Sequence, residues 1–160
     1  MDSPFIHLRS LSSYSLSEST LKISNLVLNA KKNNMPAIAI TDNNNMFGVF
    51  EFSQECVKNN IQPIIGTSIN LLDINSNNKI SQITFLVKSE IGYRNLLHLS
   101  SLSHLNNYRE VGIIFNQIEN YSNGLYCYIG GEFNPLLLLK KENKSKEIIN
   151  LIQNFKKIFK

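Results

Sequence analysis

The side chains that are best placed to do chemistry follow three short apolar runs of the chain. In parallel α/β folds, ligands bind at the carboxyl ends of strands, so the loops after such runs are where a site is expected. These loops carry Arg9, Leu11, Ser13, Asp42, Asn43 and Ser68. A divalent metal ion needs several His, Asp, Glu or Cys ligands, and one carboxylate next to an arginine does not supply them. The residue types therefore predict that these loops have the position of a ligand site but lack the ligands for a metal ion.

No other group of residues forms a recognisable catalytic set. His7 lies inside a strand-like segment, and His98 and His104 are six positions apart, which places them on different faces of a helix. The serines belong to no G-x-S-x-G turn, and the pair Gly130–Gly131 is typical of a turn and not of a phosphate-binding loop. Asp42 has the position of a general base, although an aspartate after a strand more often caps the next helix.

The elements that must position these residues begin with an alternation of strand and helix patterns. The apolar runs are Pro4–Arg9, Ala37–Thr41 and Pro63–Gly66, and the helical patterns are the stripe Ile23, Leu26, Val27 and Ala30 and the segment Met46–Asn59. Short, continuously apolar runs are typical of strands that are buried on both faces of a parallel sheet. The order β-α-β-α-β indicates right-handed crossovers. We therefore expect residues 37–41 and 62–66 to be adjacent parallel strands with helices outside.

The remaining segments extend the same domain. Ser68–Leu72 and Ile80–Val87 flank an Asn-Ser-Asn-Asn turn and predict a hairpin. The further predicted elements are a helix from a cap at Ser89 to about Ser103, a helix over 111–121, a strand over Leu125–Ile129 and a tail helix with the stripe Ile148, Ile152, Phe155 and Phe159. No repeat and no linker divides the chain, so the sequence predicts one α/β domain over residues 1–160.

The excess positive charge is confined to the C-terminal segment. The formal net charge is +4; seven lysines and two glutamates after position 137 give +5, so residues 1–137 hold −1. A nucleic-acid-binding module would carry a basic face across the whole domain, and a lysine-rich helix face in solvent explains the tail better. No apolar run is long enough for a membrane span, no secretory leader opens the chain, and two cysteines make no C-x-x-C motif. We expect a reduced, cytoplasmic location.

Several stretches of the chain resemble a known family. They are Phe5–Ser15, Met35–Asp42 running into Asn45–Gly48, Ile61–Gly66, Lys88–Leu96 and Gly124–Leu125 leading to Gly130. In order and spacing they resemble the N-terminal polymerase-and-histidinol-phosphatase (PHP) domain of bacterial DNA polymerase III alpha subunits. The resemblance covers nearly the whole chain. It implies a distorted βα barrel, here an incomplete one with mostly parallel strands, because the family domain continues into further strands beyond the last residue of this chain.

The resemblance also implies where a metal site would lie. Active members hold three metal ions, and their ligands match the positions Arg9, Leu11, Ser13, Asn43, Ser68 and Gly131 of this sequence, where the family has histidine, histidine, aspartate, histidine, glutamate and cysteine. One further family ligand matches His104. A lone imidazole does not retain a metal ion, so we expect a degenerate site with no catalytic residues and no cofactor.

The function that this resemblance implies is structural. We expect a non-catalytic segment of a replicative polymerase that contacts the rest of the alpha subunit, docks a proofreading exonuclease subunit and meets DNA only through the parent polymerase. The alternative is a metal-dependent phosphoesterase or 3′–5′ exonuclease of the PHP family. A third hypothesis is a nucleic-acid-binding module that uses the basic tail.

The loops also suggest a replacement for the missing metal charge. Parallel strands stand ~4.8 Å apart, so the Arg9 guanidinium can reach the carboxylate of Asp42 at the end of the neighbouring strand. We therefore predict an Arg9–Asp42 pair. The alternative is that Asp42 caps the following helix and Arg9 points to solvent.

Overall fold

The computed structural model describes residues 5–76, 79–105 and 108–159. Its helices and strands follow one another as α1 (Ile23–Lys32), β1 (Ala37–Ile40), α2 (Val49–Lys58), β2 (Gln62–Ser76), β3 (Lys79–Val87), α3 (Glu90–Leu105), α4 (Phe115–Tyr121), β4 (Leu125–Tyr128), α5 (Pro135–Lys141) and α6 (Ser145–Ile158). The strands form one sheet in the order β1-β2-β3-β4. The chain is therefore a mixed α/β fold, as the sequence predicts.

The first two strands pair as expected. β1 and β2 are parallel, with Ala37 opposite Gln62 and Ile40 opposite Ile65, which confirms the predicted adjacency of these two runs. All four residues of β1 are buried, as its continuous apolar sequence indicates. The helices α1 and α2 pack on this part of the sheet and form what we call the α1–α2 core, made of Ile23, Leu26, Val27, Ala30, Ile38, Ile40, Val49, Phe52, Cys56 and Ile61.

The second half of the sheet corrects two expectations. The predicted strands at 63–66 and 68–72 form one continuous strand, β2, with a register shift between Leu71 and Asn75. The pairing of the two predicted hairpin strands is confirmed, since β2 and β3 are antiparallel, while Asn77 and Asn78 of the predicted turn lie outside the described residues. The strand β3 is also antiparallel to β4. The prediction of mostly parallel strands is therefore wrong for the described strand pairs of this sheet, of which β1–β2 is parallel and β2–β3 and β3–β4 are antiparallel.

Four helices, α3 to α6, pack against this half of the sheet. They form the α3–α6 core, which contains Ile69, Leu71, Ile83, Phe85, Leu96, Leu99, Ile113, Ile118, Leu125, Leu139, Leu151 and Phe155. The helix after Ser89 is confirmed, with the Gly92 N–H donating to Ser89 Oγ over 3.3 Å. The tail helix α6 is also confirmed, and the helix predicted over 111–121 is shorter, beginning at Phe115. Over the described ranges, no helix combines the length and apolarity needed to cross a membrane.

Two segments differ from the sequence prediction. The run Pro4–Arg9 is not a regular strand over its described part, residues 5–9, although His7 O and Ser10 O accept hydrogen bonds from Ala39 N (2.9 Å) and Thr41 N (2.8 Å) of the β1 region. The segment therefore lies beside β1 without a full ladder. The helix α5 is not predicted, because a run of four leucines has no helical periodicity. Its start carries ordinary signals, a proline in the first turn and an Asn134 side chain that caps Leu137 N.

Candidate functional site

The loop after β1 is tied to β2 by the backbone. Asn43 and Ser68 form a parallel bridge, Asn44 N donates to Ser68 O (2.7 Å), and Ser68 N donates to Asp42 O (3.1 Å). The Ser68 side chain is fully buried, and its Oγ lies 2.8 Å from Thr84 Oγ1 on β3. Two of the positions that match family ligands are therefore held together at the carboxyl end of β1, where the fold predicts a site.

A chain of polar side chains links three elements across this site. Arg9 Nη2 donates to Gln82 Oε1 (3.1 Å), and Gln82 Nε2 donates to Asn43 Oδ1 (3.1 Å). Asn43 Nδ2 donates in turn to the Glu18 carboxylate. The network runs from a cation to a carboxylate through two neutral amides. Arg9 and Asn43, which match metal ligands in the family, are here hydrogen-bonded through a glutamine that the sequence comparison does not single out.

Asp42 is the buried acid of the site, and its partners are serines. Only 2% of Asp42 is exposed, and its carboxylate accepts hydrogen bonds from Ser12 N, Ser12 Oγ and Ser15 Oγ, each at 2.6 Å. These short contacts are typical of charge-assisted hydrogen bonds. The carboxylate holds the loop between the first segment and α1, so it does not cap α2, the alternative role that its position suggested.

The predicted pair of Arg9 and Asp42 is not formed. The guanidinium of Arg9 donates to Gln82 instead, and no ion pair joins the two residues. The physical reason is that the Ser12 and Ser15 groups already satisfy the Asp42 carboxylate, whereas Arg9 lies at the exposed outer end of the site. Buried acids whose oxygens are satisfied by nearby donors need no counter-ion within contact distance.

The other matched positions divide into two groups. Gly131 lies beside Arg9, since a Cβ built on it would be 2.4 Å from Arg9 Nη1, and the exposed His104 has Nε2 2.6 Å from Asn44 O. Leu11 and Ser13 lie outside the polar network, although Leu11 shares a cavity with Arg9. Leu11 lines a cavity of about 310 Å³ against α1, and Ser13 is exposed with its N–H donating to Leu21 O (2.8 Å). The structure thus gathers five of the seven matched positions around the site.

The donor set does not fit the three metal ions of active PHP domains. The matched positions supply a guanidinium, a leucine, two hydroxyls, an amide, a glycine and one imidazole. The Asn43 oxygen and nitrogen and the Ser68 hydroxyl are hydrogen-bonded to protein groups. Within the part of the chain that the structure describes, no three His, Cys, Asp or Glu side chains lie close enough to hold a metal ion. A cation next to Arg9 would also be repelled.

The two cysteine thiols of the chain both have a raised pKa. Burial raises the pKa of the Cys56 thiol and of the Cys127 thiol to about 12, so neither supplies a thiolate at neutral pH. At the rim, Tyr14 Oη donates to Glu51 Oε2 (3.2 Å), and this hydrogen bond raises the pKa of Tyr14.

Sequence reasoning missed five residues of this network: Ser12 and Ser15, which donate to Asp42, Glu18 and Gln82, which bond Asn43, and Asn70, whose Oδ1 lies 3.5 Å from Gln82 Nε2. One signal was available for two of them. Asn70 and Gln82 are directly opposite in the β2–β3 ladder, and Ser68 and Thr84 form the next pair on the same face. This alternation of polar and apolar residues along both strands marks a polar sheet face.

The chain matches known proteins by sequence over most of its length. A family model for the PHP domain matches residues 7–160. The DNA polymerase III alpha subunits of Rickettsia prowazekii and Borreliella burgdorferi are each 41% identical to the chain, over 91% and 98% of its length. The chain spans only 12% and 14% of those two relatives.

Among solved structures, an amidohydrolase from Chromobacterium violaceum overlaps with 61% of this chain and 32% of its own, at a TM-score of 0.45 and 15% identity. The family assignment rests on the sequence match, which includes nearly every residue that builds the site described above. On that evidence the chain belongs to the PHP domain family.

Proposed function

We propose that this chain is the PHP portion of a DNA polymerase III alpha subunit and that it is a non-catalytic, structural part of that polymerase. The proposal is supported by 41% identity to two such subunits over more than nine-tenths of the chain. The polymerase activity itself then belongs to the rest of the subunit, since the chain spans about an eighth of the relatives' length.

One observation carries the non-catalytic role. The positions that hold metal ions in active members are here joined to each other and to neighbouring elements by hydrogen bonds, through Gln82 to Asn43 and Arg9 and through Thr84 to Ser68. Side chains whose polar atoms are engaged in this way stabilise the loops directly. The site has exchanged a metal-held arrangement of loops for one held by amides and hydroxyls.

The finer parts of the proposal concern architecture and partners. We infer that the four-stranded sheet is part of a PHP barrel, that the domain contacts the remainder of the alpha subunit, and that it docks a proofreading exonuclease subunit in the cytoplasm. Co-elution of the purified chain with that exonuclease subunit in gel filtration is the expected result. Separate elution at every ratio would contradict the docking role.

Metal analysis tests the non-catalytic role. After dialysis the full chain should contain Zn, Mn and Fe well below one equivalent, and it should hydrolyse neither a phosphomonoester nor the 3′ end of a DNA strand. The variant His104→Ala, which removes the one matched imidazole, should give the same trace metal content as the unmodified chain. A full equivalent of metal together with activity that a chelator abolishes would instead establish a metal-dependent phosphoesterase or exonuclease.

A further inference from the structure

A cavity of about 400 Å³ lies between the end of β2 and the helices α4, α5 and α6. We call it the α6 cavity. It shares no lining residue with the polar network that joins Arg9, Gln82, Asn43 and Glu18. Its volume is within the range of cavities that hold a ligand. The α6 cavity is therefore separate from the site at the carboxyl end of β1.

The inner wall of the α6 cavity is apolar. Leu139 and Leu151 belong to the α3–α6 core and are only 4% and 6% exposed. The half-buried Ile74 and Phe115 complete this wall. The ring of Phe115 contacts that of Phe155 edge to face, with the ring centroids 5.1 Å apart. Such a wall can pack against methylene groups, and an aromatic ring also attracts a cation that lies over its face.

The rim of the α6 cavity carries oxygen acceptors with spare capacity. Asp73 Oδ2 accepts from the first N–H of α4 (2.9 Å), and within residues 5–76, 79–105 and 108–159 no donor contacts Asp73 Oδ1. The side-chain amides of Asn150 and Asn154 have no hydrogen-bond partner in the same ranges. All three side chains are exposed, so a ligand from solution can reach them.

Lys144 lines the same cavity, but two carboxylates already surround its ammonium group. Lys144 Nζ lies 2.9 Å from Glu142 Oε2 and 3.8 Å from Glu147 Oε2. Asp73 adds a third carboxylate at the rim. The charge at the cavity is therefore negative in sum, although the C-terminal segment as a whole is positive. This distribution favours a cationic ligand over an anion.

We propose that the α6 cavity binds the side chain of an arginine that a partner protein supplies. The guanidinium of an arginine has five N–H donors in a planar fork, which suits the carboxylates and the amide oxygens of the rim. Its stem of three methylene groups suits the apolar wall. A bare metal ion leaves that wall unused, and the ammonium ion of a lysine has fewer donors for the acceptors.

A partner protein is favoured over a free small molecule because the rim is open. Small-molecule sites usually enclose most of the surface of their ligand, whereas Asp73, Glu147, Asn150 and Asn154 are all exposed. Arginine is enriched at protein interfaces, where a wider contact holds it in place. The inference goes beyond the proposed function, because it concerns a second place on the domain and does not depend on the metal content of the first.

The test is a titration of the full chain with N-acetyl-arginine methylamide, followed by two-dimensional amide NMR. Saturable shifts of the Asn150 and Asn154 side-chain amide signals are expected at millimolar concentrations. N-acetyl-norleucine methylamide has only the apolar stem and guanidinium chloride only the charged head, so each should bind about tenfold more weakly or less. The absence of saturable shifts with the arginine probe, or equally strong binding of the norleucine probe, would overturn the proposal.

Two further probes separate the alternative ligands. Inorganic phosphate should cause no saturable shifts, and its binding in place of the arginine probe would assign Lys144 to an anion and overturn the proposal. Agmatine carries the same guanidinium as a free small molecule. Binding of agmatine without binding of the arginine probe would overturn the assignment to a protein side chain.

Substitutions of the two rim carboxylates locate the binding. Asp73→Asn and Glu147→Gln should each weaken binding of the arginine probe about tenfold, because each removes a charge-assisted hydrogen bond. Glu90→Gln is the matched control, since Glu90 is an exposed acid that pairs with Arg94 on α3 (2.7 Å). Unchanged affinity in Asp73→Asn and Glu147→Gln would overturn the proposal, and either variant still tests it if the other does not fold.

Lys144→Gln gives a change of opposite sign. It should strengthen binding about threefold, because it removes the ammonium group that competes for Glu147. Lys146→Gln is its matched control, since Lys146 is exposed, lies on the same helix turn and does not line the cavity. An equal gain in Lys144→Gln and Lys146→Gln would indicate a general charge effect and would overturn recognition by the cavity.

Discussion

At the scale of single residues, Asp42 holds together the loops that surround the site. Its buried carboxylate accepts from Ser12 N, Ser12 Oγ and Ser15 Oγ, while its backbone oxygen accepts from Thr67 Oγ1 (2.7 Å) and Ser68 N. Asp42 therefore connects the first loop, its own loop and β2. These hydrogen bonds are structural, and Arg9 lies apart from them at the surface, where it donates to Gln82.

A double-mutant cycle on Arg9→Ala and Asp42→Ala tests this separation. Asp42→Ala leaves three buried donors without an acceptor, so we expect a loss of about 3 kcal/mol or more in the free energy of unfolding. Arg9→Ala removes an exposed hydrogen bond and should cost at most about 1 kcal/mol. Because the two side chains form no ion pair, urea unfolding should show additive losses, within about 0.5 kcal/mol.

The same cycle has an internal control. Ser15→Ala combined with Asp42→Ala should be clearly non-additive, because Ser15 Oγ donates directly to the Asp42 carboxylate at 2.6 Å. A coupling between Arg9 and Asp42 as large as that between Ser15 and Asp42 would restore the ion pair that the loop sequence suggested.

At the scale of elements, the sequence predicts fully apolar, buried strands correctly and predicts less well those strands that contain buried polar residues. The run 37–41 and the β1–β2 pairing are predicted correctly, because continuous burial leaves a simple apolar pattern. The length of β2 is not predicted correctly, because the polar residues Thr67 and Ser68 interrupt the apolar pattern and resemble the end of a strand. They remain in the strand because their hydroxyls bond Asp42 O and Thr84 Oγ1, and both residues are fully buried.

The sequence predicts which residue types occupy the site but not which residues they contact. The residue types at Arg9, Ser68 and the other loop positions can be read directly from the sequence. The partner of Arg9, however, is Gln82, 73 positions away, and no local pattern specifies that contact. Similarly, the pairing of Arg9 with Asp42 is reasonable from strand spacing alone, and it fails because serines from the first loop take the carboxylate.

The contact between α3 and the turn before β4 predicts that a glycine-to-alanine substitution in the helix destabilises the fold, although such substitutions usually stabilise a helix. Gly→Ala inside a helix ordinarily stabilises by about 1 kcal/mol. A Cβ on Gly92, however, would lie 1.8 Å from Gly124 O, a backbone atom that cannot move aside cheaply. We therefore expect Gly92→Ala to destabilise the chain by about 2 kcal/mol or more in thermal unfolding.

Gly130→Ala is the matched control for that measurement. Nothing lies within 4 Å of a Cβ at this position, so its stability should stay within about 0.5 kcal/mol of the unmodified chain. Equal stability of Gly92→Ala and Gly130→Ala would show that the α3 junction is looser than its geometry implies.

At the scale of the whole molecule, one strand and one side chain join two hydrophobic cores. Ile65 of β2 packs against the α1–α2 core, whereas Ile69 and Leu71 of the same strand belong to the α3–α6 core. Met46, between the two halves, packs against both. The site lies along this shared region, since Ser68 is between Ile65 and Ile69 on β2. Loss of either core would therefore release the loops that build the site.

This arrangement predicts a single cooperative unfolding transition. Tyr93 packs against the α1–α2 core and Tyr121 against the α3–α6 core, so the near-ultraviolet tyrosine signal reports on both halves. In urea it should coincide with the far-ultraviolet helix signal, as expected for a two-state domain. Each core should influence the entire transition and not only its own half.

Truncating one buried side chain in each core tests whether the chain unfolds as one cooperative unit or as two. Phe52 of the α1–α2 core and Phe85 of the α3–α6 core are both fully buried, so Phe52→Ala and Phe85→Ala should each lower the free energy of unfolding by about 3–5 kcal/mol. Phe50→Ala, on the same helix as Phe52 but 74% exposed, should have little effect. A biphasic curve in Phe52→Ala, with one phase at the original midpoint, would show that the halves unfold independently. We expect a single unfolding phase with a lowered midpoint in both variants. The reason is that β2 and Met46 contact both cores, so destabilising one core also destabilises the other.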